Sequence, residues 1–323
     1  MGGILNHRIG SGSGARPTRD VRAGTSSTSA KELSRAVQAK LADESRSVGR
    51  TREFVFTDAD FEKIRKLIYQ HAGISLAPVK QDMVYSRLAR RLRARGDKTF
   101  AEYLARLEKD AAEWETFVNS LTTNLTSFYR ESHHFDILAE HLVKRSATKP
   151  LRIWCAAAST GEEPYSIAIT ACEALRTLSP AVEIWASDID TNVLAHGQQG
   201  VYSIDRIERM SRERVERFFL RGKGDRQGFA KVRPELQKLI RFLRINLLDR
   251  DWGLNGQFDA IFCRNVMIYF DKPTQYQILK RFVPLLKPDG LLFAGHSESF
   301  MHASDLLRSR GRTVYERADA SRS

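Results

Sequence analysis

Cysteine is scarce in this chain of 323 residues: there are 3, Cys155, Cys172 and Cys263. None belongs to a cluster with metal-ligand spacing, and all three fall within apolar runs, so buried reduced thiols are expected and no metal centre. Long hydrophobic runs are also missing. No stretch approaches the roughly 18 uninterrupted apolar residues of a membrane span, which excludes direct membrane insertion. The start, Met1-Gly-Gly-Ile-Leu-Asn-His-Arg, has no apolar signal core, so a cytoplasmic location is expected. Acid is in deficit: 39 Asp and Glu stand against 52 Lys and Arg, a formal charge of +13. That balance implies an acidic partner, whether nucleic acid, an anionic membrane surface or an acidic protein, and charge alone does not choose among them.

What is present is the composition of a globular protein, with 42% hydrophobic residues and no internal repeat. Residues 1–52 are rich in Ser, Gly, Arg and Ala, as in Gly10-Ser-Gly-Ser-Gly. They are expected to be a disordered tail with at most a short helix over Lys31–Leu41. A helical domain is expected over 53–130. Thr57-Asp58-Ala59-Asp60 supplies capping groups, Phe61, Ile64, Leu67 and Ile68 repeat at helical spacing, and Gly73 ends the pattern. The next helix, Lys80–Arg95, has Met83, Val84, Leu88 and Leu92 on one face and Arg87, Arg90, Arg91, Arg93 and Arg95 on the other. Over 131–323 strands and helices alternate after a helix at Ser132–Arg145, which predicts a doubly wound α/β domain. Its strands are expected at Leu151–Ala156, Val182–Ser187, Ile240–Asn246, Phe258–Cys263, Gly290–Ala294 and Thr313–Glu316. The segment 200–239 breaks the alternation, and its Gly-rich turns predict an inserted antiparallel β-subdomain.

Chemistry concentrates at the strand ends. Ile153-Trp-Cys-Ala-Ala-Ala-Ser-Thr-Gly161-Glu-Glu-Pro-Tyr-Ser-Ile-Ala168 reads as a buried strand, a turn of small residues, an acidic pair and a helix. Such a turn lets backbone approach a nucleotide-like ligand. The next strand ends at Asp188, about 25 residues beyond Glu163, near the spacing of a ribose acceptor. A strict Gly-x-Gly-x-x-Gly is missing, so there is no cradle for a pyrophosphate. Three further strings follow: Ile245-Asn246-Leu247-Leu248-Asp249, Cys263-Arg264-Asn265-Val-Met-Ile-Tyr269-Phe270 and Gly295-His296-Ser297-Glu298. Ahead of them lies Leu121-Thr-Thr-Asn124-Leu-Thr126-Ser-Phe-Tyr-Arg130-Glu.

These ordered motifs together resemble the CheR family of chemotaxis receptor protein-glutamate O-methyltransferases, from about Phe54 to the C-terminus. The resemblance implies S-adenosyl-L-methionine as methyl donor and S-adenosyl-L-homocysteine as product. It implies cofactor contacts at Asn124, Thr126, Arg130, Glu163, Asp188, Asn246, Leu247, Arg264 and Asn265. Side-chain chemistry agrees: Asp188 suits ribose hydroxyls, Asn246 an adenine edge and Leu247 its face, while Arg130 can fork onto a carboxylate. Arg130 and Tyr269 are the candidates for orienting the substrate carboxylate. Glu162 is read as a helix-start acid opposing the dipole, and Glu163 as the ligand contact.

The implied partners are the cytoplasmic domains of methyl-accepting chemotaxis receptors. The arginine-rich helix at Arg87–Arg95 is expected to dock their acidic helices. The hairpin around Gly222–Val232 resembles a β-subdomain that in some family members takes a receptor C-terminal peptide by strand addition. A monomer is expected. Two other functions remain to be weighed. A nucleic-acid methyltransferase would suit the charge, but Asn265-Val-Met-Ile-Tyr269 lacks the proline pair of enzymes that methylate base amines, and no aromatic-basic platform is seen. A non-catalytic module that senses S-adenosylmethionine would not need Arg130 and Tyr269.

Overall fold

A computed structural model describes residues 52–145 and 150–319. The tail expected to be disordered, with its helix over Lys31–Leu41, lies outside the described residues up to Thr51. The first helix, α1 (Asp58–Ala72), opens on a capping box: Thr57 Oγ1 accepts from the Asp60 N–H at 3.1 Å, and the Asp60 carboxylate accepts from the Thr57 N–H at 3.0 Å. It ends at Gly73, whose φ of 69° is left-handed and whose missing Cβ would stand 2.9 Å from the Phe270 ring. Only glycine meets both demands without strain. Helices α2 (Gln81–Arg95), α3 (Phe100–Leu107) and α4 (Ala111–Leu121) complete the layer. Ile64, Ile68, Leu88, Leu92, Tyr103 and Phe117 fill its core.

The arginine face of α2 departs from expectation, because most of its charge is spent inside the layer. Arg91 forks onto Glu113 at 3.1 and 2.7 Å, and Arg95 reaches Glu113 at 2.8 Å and Asp110 at 3.1 Å. Arg93 pairs with Glu53 at 2.6 Å, and Arg87 donates to the Thr122 carbonyl at 2.6 Å. Glu113 is 3% exposed, and a carboxylate so buried demands cations. Arg90 is exposed and makes no ion pair among the described residues.

Helix α5 (His133–Arg145) leads into the α/β domain, in which β1 (Leu151–Cys155), α6 (Glu162–Ala174), β2 (Val182–Asp188) and α7 (Thr191–Gln199) follow. An inserted unit comes next: β3 (Val201–Ser203), α8 (Ile204–Ile207), α9 (Arg212–Phe218), β4 (Phe219–Arg221), β5 (Phe229–Val232) and α10 (Pro234–Gln237). The chain then returns through β6 (Ile240–Arg244), β7 (Phe258–Cys263), α11 (Lys272–Leu285), β8 (Leu286–Ala294), β9 (Leu307–Gly311) and β10 (Val314–Arg317). The main sheet has the order β6-β2-β1-β7-β8-β10-β9; the first five strands run parallel, and β10 is antiparallel to both neighbours. The insert forms a second, antiparallel sheet in the order β3-β5-β4. This is the doubly wound architecture with an inserted β-subdomain that the sequence predicts.

Two strands differ from the reading. β8 begins at Leu286 rather than Gly290, because a register shift against β7 accommodates Pro288-Asp-Gly290. β9, Leu-Arg-Ser-Arg-Gly, was not foreseen, since an exposed edge strand carries no apolar alternation. The three cysteines are buried and free. Among the described residues no helix is long and apolar enough to cross a membrane. The chain winds outward from β1 to β6 and then crosses to β7 on the other side of β1. The crevice at the carboxyl ends of β1 and β7 is therefore the topological switch point where ligands bind in such sheets.

Candidate functional site

A cavity of about 370 Å³ opens at that crevice, within the usual range for small-molecule sites. It takes residues from the α1–α2 connection, the α4–α5 connection and the ends of β1, β2, β6 and β7. All ten residues singled out in the sequence line it: Asn124, Thr126, Arg130, Glu163 and Asp188 from the first half, and Asn246, Leu247, Arg264, Asn265 and Tyr269 from the second.

The wall at β1 and β2 is set by backbone. After β1 the chain turns through Ala156 and Ala157, and Ser159 takes a left-handed φ of 46°. That turn aims the Ser159 N–H at Asp188 Oδ2, 2.8 Å away, while the Asp190 N–H bonds Oδ1 at 3.0 Å. Asp188 has no cation beside it, and burial pushes its carboxyl up to about 6, the backbone donors offsetting only part of the shift. Each carboxylate oxygen keeps a lone pair for a further donor. Asp190 has a different role: it caps α7, accepting from Asn192 and Val193, and its Oδ2 takes Asn124 Nδ2 and Thr122 Oγ1, each at 2.8 Å. Asn124 is thus held at the cavity by the end of β2.

The floor is a buried charge chain. Arg264, 4% exposed, donates to Glu163 and approaches Glu131 at 3.2 Å, with a further bond to the Arg130 carbonyl. Burial disfavours its charge, and the two carboxylates outweigh that cost. Burial would likewise raise Glu131, but His296 at 2.9 Å and Arg264 overcome it and hold the carboxyl at about 2. The Cys155 thiol donates to Glu163 Oε1 at 3.3 Å. Glu162, next in the chain, turns away: it is buried against Arg206 and accepts from Thr160 Oγ1 at 2.6 Å. It stands in the first turn of α6, as the sequence reading has it, and its contact with Arg206 also fastens the inserted subdomain.

At the other side, Asn246 spends part of its amide on the protein. Its Nδ2 donates to the His71 carbonyl at 2.7 Å and its Oδ1 accepts the Leu248 N–H at 3.0 Å. One N–H and one lone pair remain for a ligand edge, so the adenine contact expected of it is narrower than the free amide suggests. Leu247, Ile189, Ile245 and Phe270 supply apolar wall. Arg130 lines the cavity, donates to the Leu125 carbonyl at 2.8 Å and has its Nε 3.9 Å from the Glu131 carboxylate. Tyr269 sits in a short turn after β7, half-buried, and burial raises its phenol, so it stays a neutral donor at neutral pH.

Non-glycine residues with left-handed backbone gather here: Tyr129, Glu131, Ser159 and Asn265, with φ of 53, 55, 46 and 58°. Such strain persists where the surroundings over-determine it, and it clusters at functional sites. Two residues of this frame were missed as participants. Glu131 directly follows Arg130, and Glu298 is a buried carboxylate accepting from the N–H groups of Asn265 and Gly295. Both stood inside quoted motifs, and their roles depend on loops that meet only in the fold. His296 pairs with Glu131, and buried His134 bonds the Arg312 carbonyl at 2.9 Å, its pKa held down to about 4 by burial first.

The cavity fits S-adenosylmethionine. A buried carboxylate without a cation, Asp188, needs donors such as vicinal ribose hydroxyls. The alanine turn admits close approach, the Leu247–Phe270 wall suits a flat base, and Glu163 offers an anion to an amino group.

Two family models match the chain. "CheR methyltransferase, all-alpha domain" covers residues 59–122, and "CheR methyltransferase, SAM binding domain" covers 124–315. The chain is 57% identical to chemotaxis protein methyltransferase 2 of Pseudomonas aeruginosa over 268 residues, 82% of this chain and 95% of that protein. It is 54% identical to the chemotaxis protein methyltransferase of Salmonella typhimurium over 267 residues, 82% and 92% of the two chains. With that of Escherichia coli the identity is 52% over 267 residues, 82% and 93%.

Proposed function

This chain belongs to the CheR methyltransferase family, and on that premise we propose that it methylates glutamate side chains of methyl-accepting chemotaxis receptors. The products are glutamate methyl esters and S-adenosylhomocysteine. Its standing as a S-adenosylmethionine-dependent methyltransferase of chemotaxis follows from the family. The observation that carries the finer reading is the meeting of Arg130 and Tyr269, from separate segments, at the cavity that holds Asp188 and Glu163.

When bound, the cofactor supplies an electrophilic methyl group on a sulfonium. The acceptor needs no general base, since a glutamate side chain with pKa about 4.3 is ionised at neutral pH. The residues therefore bind, orient and dry. Asp188 takes the ribose hydroxyls; Asn124 and Thr126 border the site with Asn265; Asn246 and Leu247 receive the base; Glu163, backed by Arg264, takes the amino group. Arg130 forks onto the substrate carboxylate with the donors that Leu125 leaves free, and the neutral Tyr269 hydroxyl donates to it. Rate comes from in-line positioning and removal of water as opposite charges meet and cancel. Receptor docking uses the exposed part of α2, above all Arg90, and the β3–β5 sheet is the place for a receptor tail peptide. The protein acts in the cytoplasm as a monomer.

Incubation with methyl-labelled S-adenosylmethionine and a receptor cytoplasmic domain tests the reading. Base-labile label on the receptor is expected, and it disappears at sites where Glu is replaced by Gln. Stable label, or label on RNA alone, would overturn it.

A further inference from the structure

Large apolar side chains stand in solvent at the mouth of the cavity. Leu125 is 68% exposed and Ile268 51%, and both border the opening. Their backbones are not loose. The Leu125 carbonyl accepts from Arg130 and its neighbour Asn124 bonds Asp190, while the Ile268 N–H donates to Glu298 at 3.3 Å beside buried Met267. Val79, 83% exposed, lies between Ala77 and Lys80, which border the same opening. Isolated exposed apolar residues are ordinary; Leu125 and Ile268, from two separate segments that line one cavity and both on anchored backbone, form a patch, with Val79 beside two further lining residues.

We propose that this rim seats the apolar stripe of the substrate, an acidic amphipathic helix whose methylated glutamate is flanked one turn away by apolar side chains. The inference rests on the glutamate-methylation reading. A glutamate side chain is short, so its helix must lie against the mouth for the carboxylate to reach Arg130 and Tyr269. A helix presents residues three and four apart on the same face as that glutamate. Apolar contact there closes the mouth against water, which methyl transfer to a carboxylate needs. Lys80 and Arg130 at the same opening match the acidic remainder of the helix. The rim thus selects which glutamates are used, where Arg130 serves any of them.

The test uses the full chain with a receptor cytoplasmic fragment, comparing Leu125→Ser, Ile268→Ser and the double variant. The double variant is expected to raise the receptor KM about tenfold and each single about threefold, consistent with losing one small buried apolar contact apiece. S-adenosylhomocysteine affinity by calorimetry and the melting temperature should stay level, and Leu125→Met with Ile268→Leu should restore KM. Replacing the apolar residues one turn from the methylated glutamate by Ser should raise KM equally, with no further rise in the double variant. An unchanged receptor KM in the double variant, with wild type still labelling the fragment, would overturn the rim alone. So would a wild-type dimer in sedimentation that the double variant abolishes, which would give the rim to a second copy. Absence of base-labile label with wild type would overturn the functional reading as well, and is seen before any variant is made.

Discussion

Arg264 at the floor of the cavity and Lys80 at its mouth are both cations, yet their surroundings have nothing in common. Arg264 is 4% exposed and locked between Glu163 and Glu131, whereas Lys80 stands in solvent with no ion pair among the described residues. The contrast extends to their neighbours. Asp188, Asn124 and Asn246 each have internal partners before any ligand arrives, while Leu125 and Ile268 have exposed side chains. A floor organised in advance suits one small molecule used in every turnover. A mouth of exposed apolar and cationic groups suits a macromolecule that comes and goes.

If the floor is a structural frame, its removal should unfold before it inhibits. Arg264→Ala removes the cation from buried Glu163 and one of the partners of Glu131, and should cost about 3–5 kcal/mol. Calorimetry should record a fall in melting temperature on the order of 10 °C. Asp188→Ala should do the reverse: a loss of S-adenosylhomocysteine affinity of about 100-fold, since charged hydrogen bonds to two hydroxyls disappear, with the melting temperature kept or raised. Equal melting losses in both variants would erase the distinction between frame and ligand contact.

The same carboxylate gives a pH test. The free protein holds Asp188 at about 6, raised by burial, so lowering pH from 7 to 5 protonates it, and the protonated form accepts fewer hydrogen bonds. Cofactor affinity should be full above pH 7 and fall about tenfold by pH 5, and Asp188→Asn should flatten that profile in titration calorimetry. For folding the sign is opposite, because a raised carboxyl adds stability at acid pH that is lost as pH climbs through 6. The smallest effect is expected on α2. Arg90→Ala should raise the receptor KM about two- to fivefold and weaken its salt dependence. Arg91→Ala, which removes one of the two arginines on buried Glu113, should appear in the melting temperature instead.

The division between floor and mouth also marks what could be read from the sequence. The alternating strands and the insert were legible, because apolar periodicity is a local signal, and the ten cavity residues were named through the family resemblance that their motifs carry. The fate of α2 was not. Arg87, Arg91, Arg93 and Arg95 look like one charged stripe, and only the packing of α4 shows that Glu113 draws two of them inward. Glu162 and Glu163 are adjacent and chemically alike, yet one fastens Arg206 and the other Arg264; spacing cannot distinguish partners more than 40 residues away. The same holds for Glu131, whose partners Arg264 and His296 follow β7 and β8, and for Glu298, which accepts from the Asn265 N–H. Edge strand β9 was hidden for the opposite reason: beyond buried Leu307 its residues become exposed and leave no apolar alternation.

The central claim, a floor set before the ligand arrives, is tested most directly by comparing crystal structures with and without S-adenosylhomocysteine. The account predicts ribose hydroxyls on Asp188 and the Glu163–Arg264–Glu131 chain intact, with floor atoms moving less than about 1 Å. A ligand seated away from Asp188, or an Arg264 that swings free of Glu163 to meet it, would contradict the account.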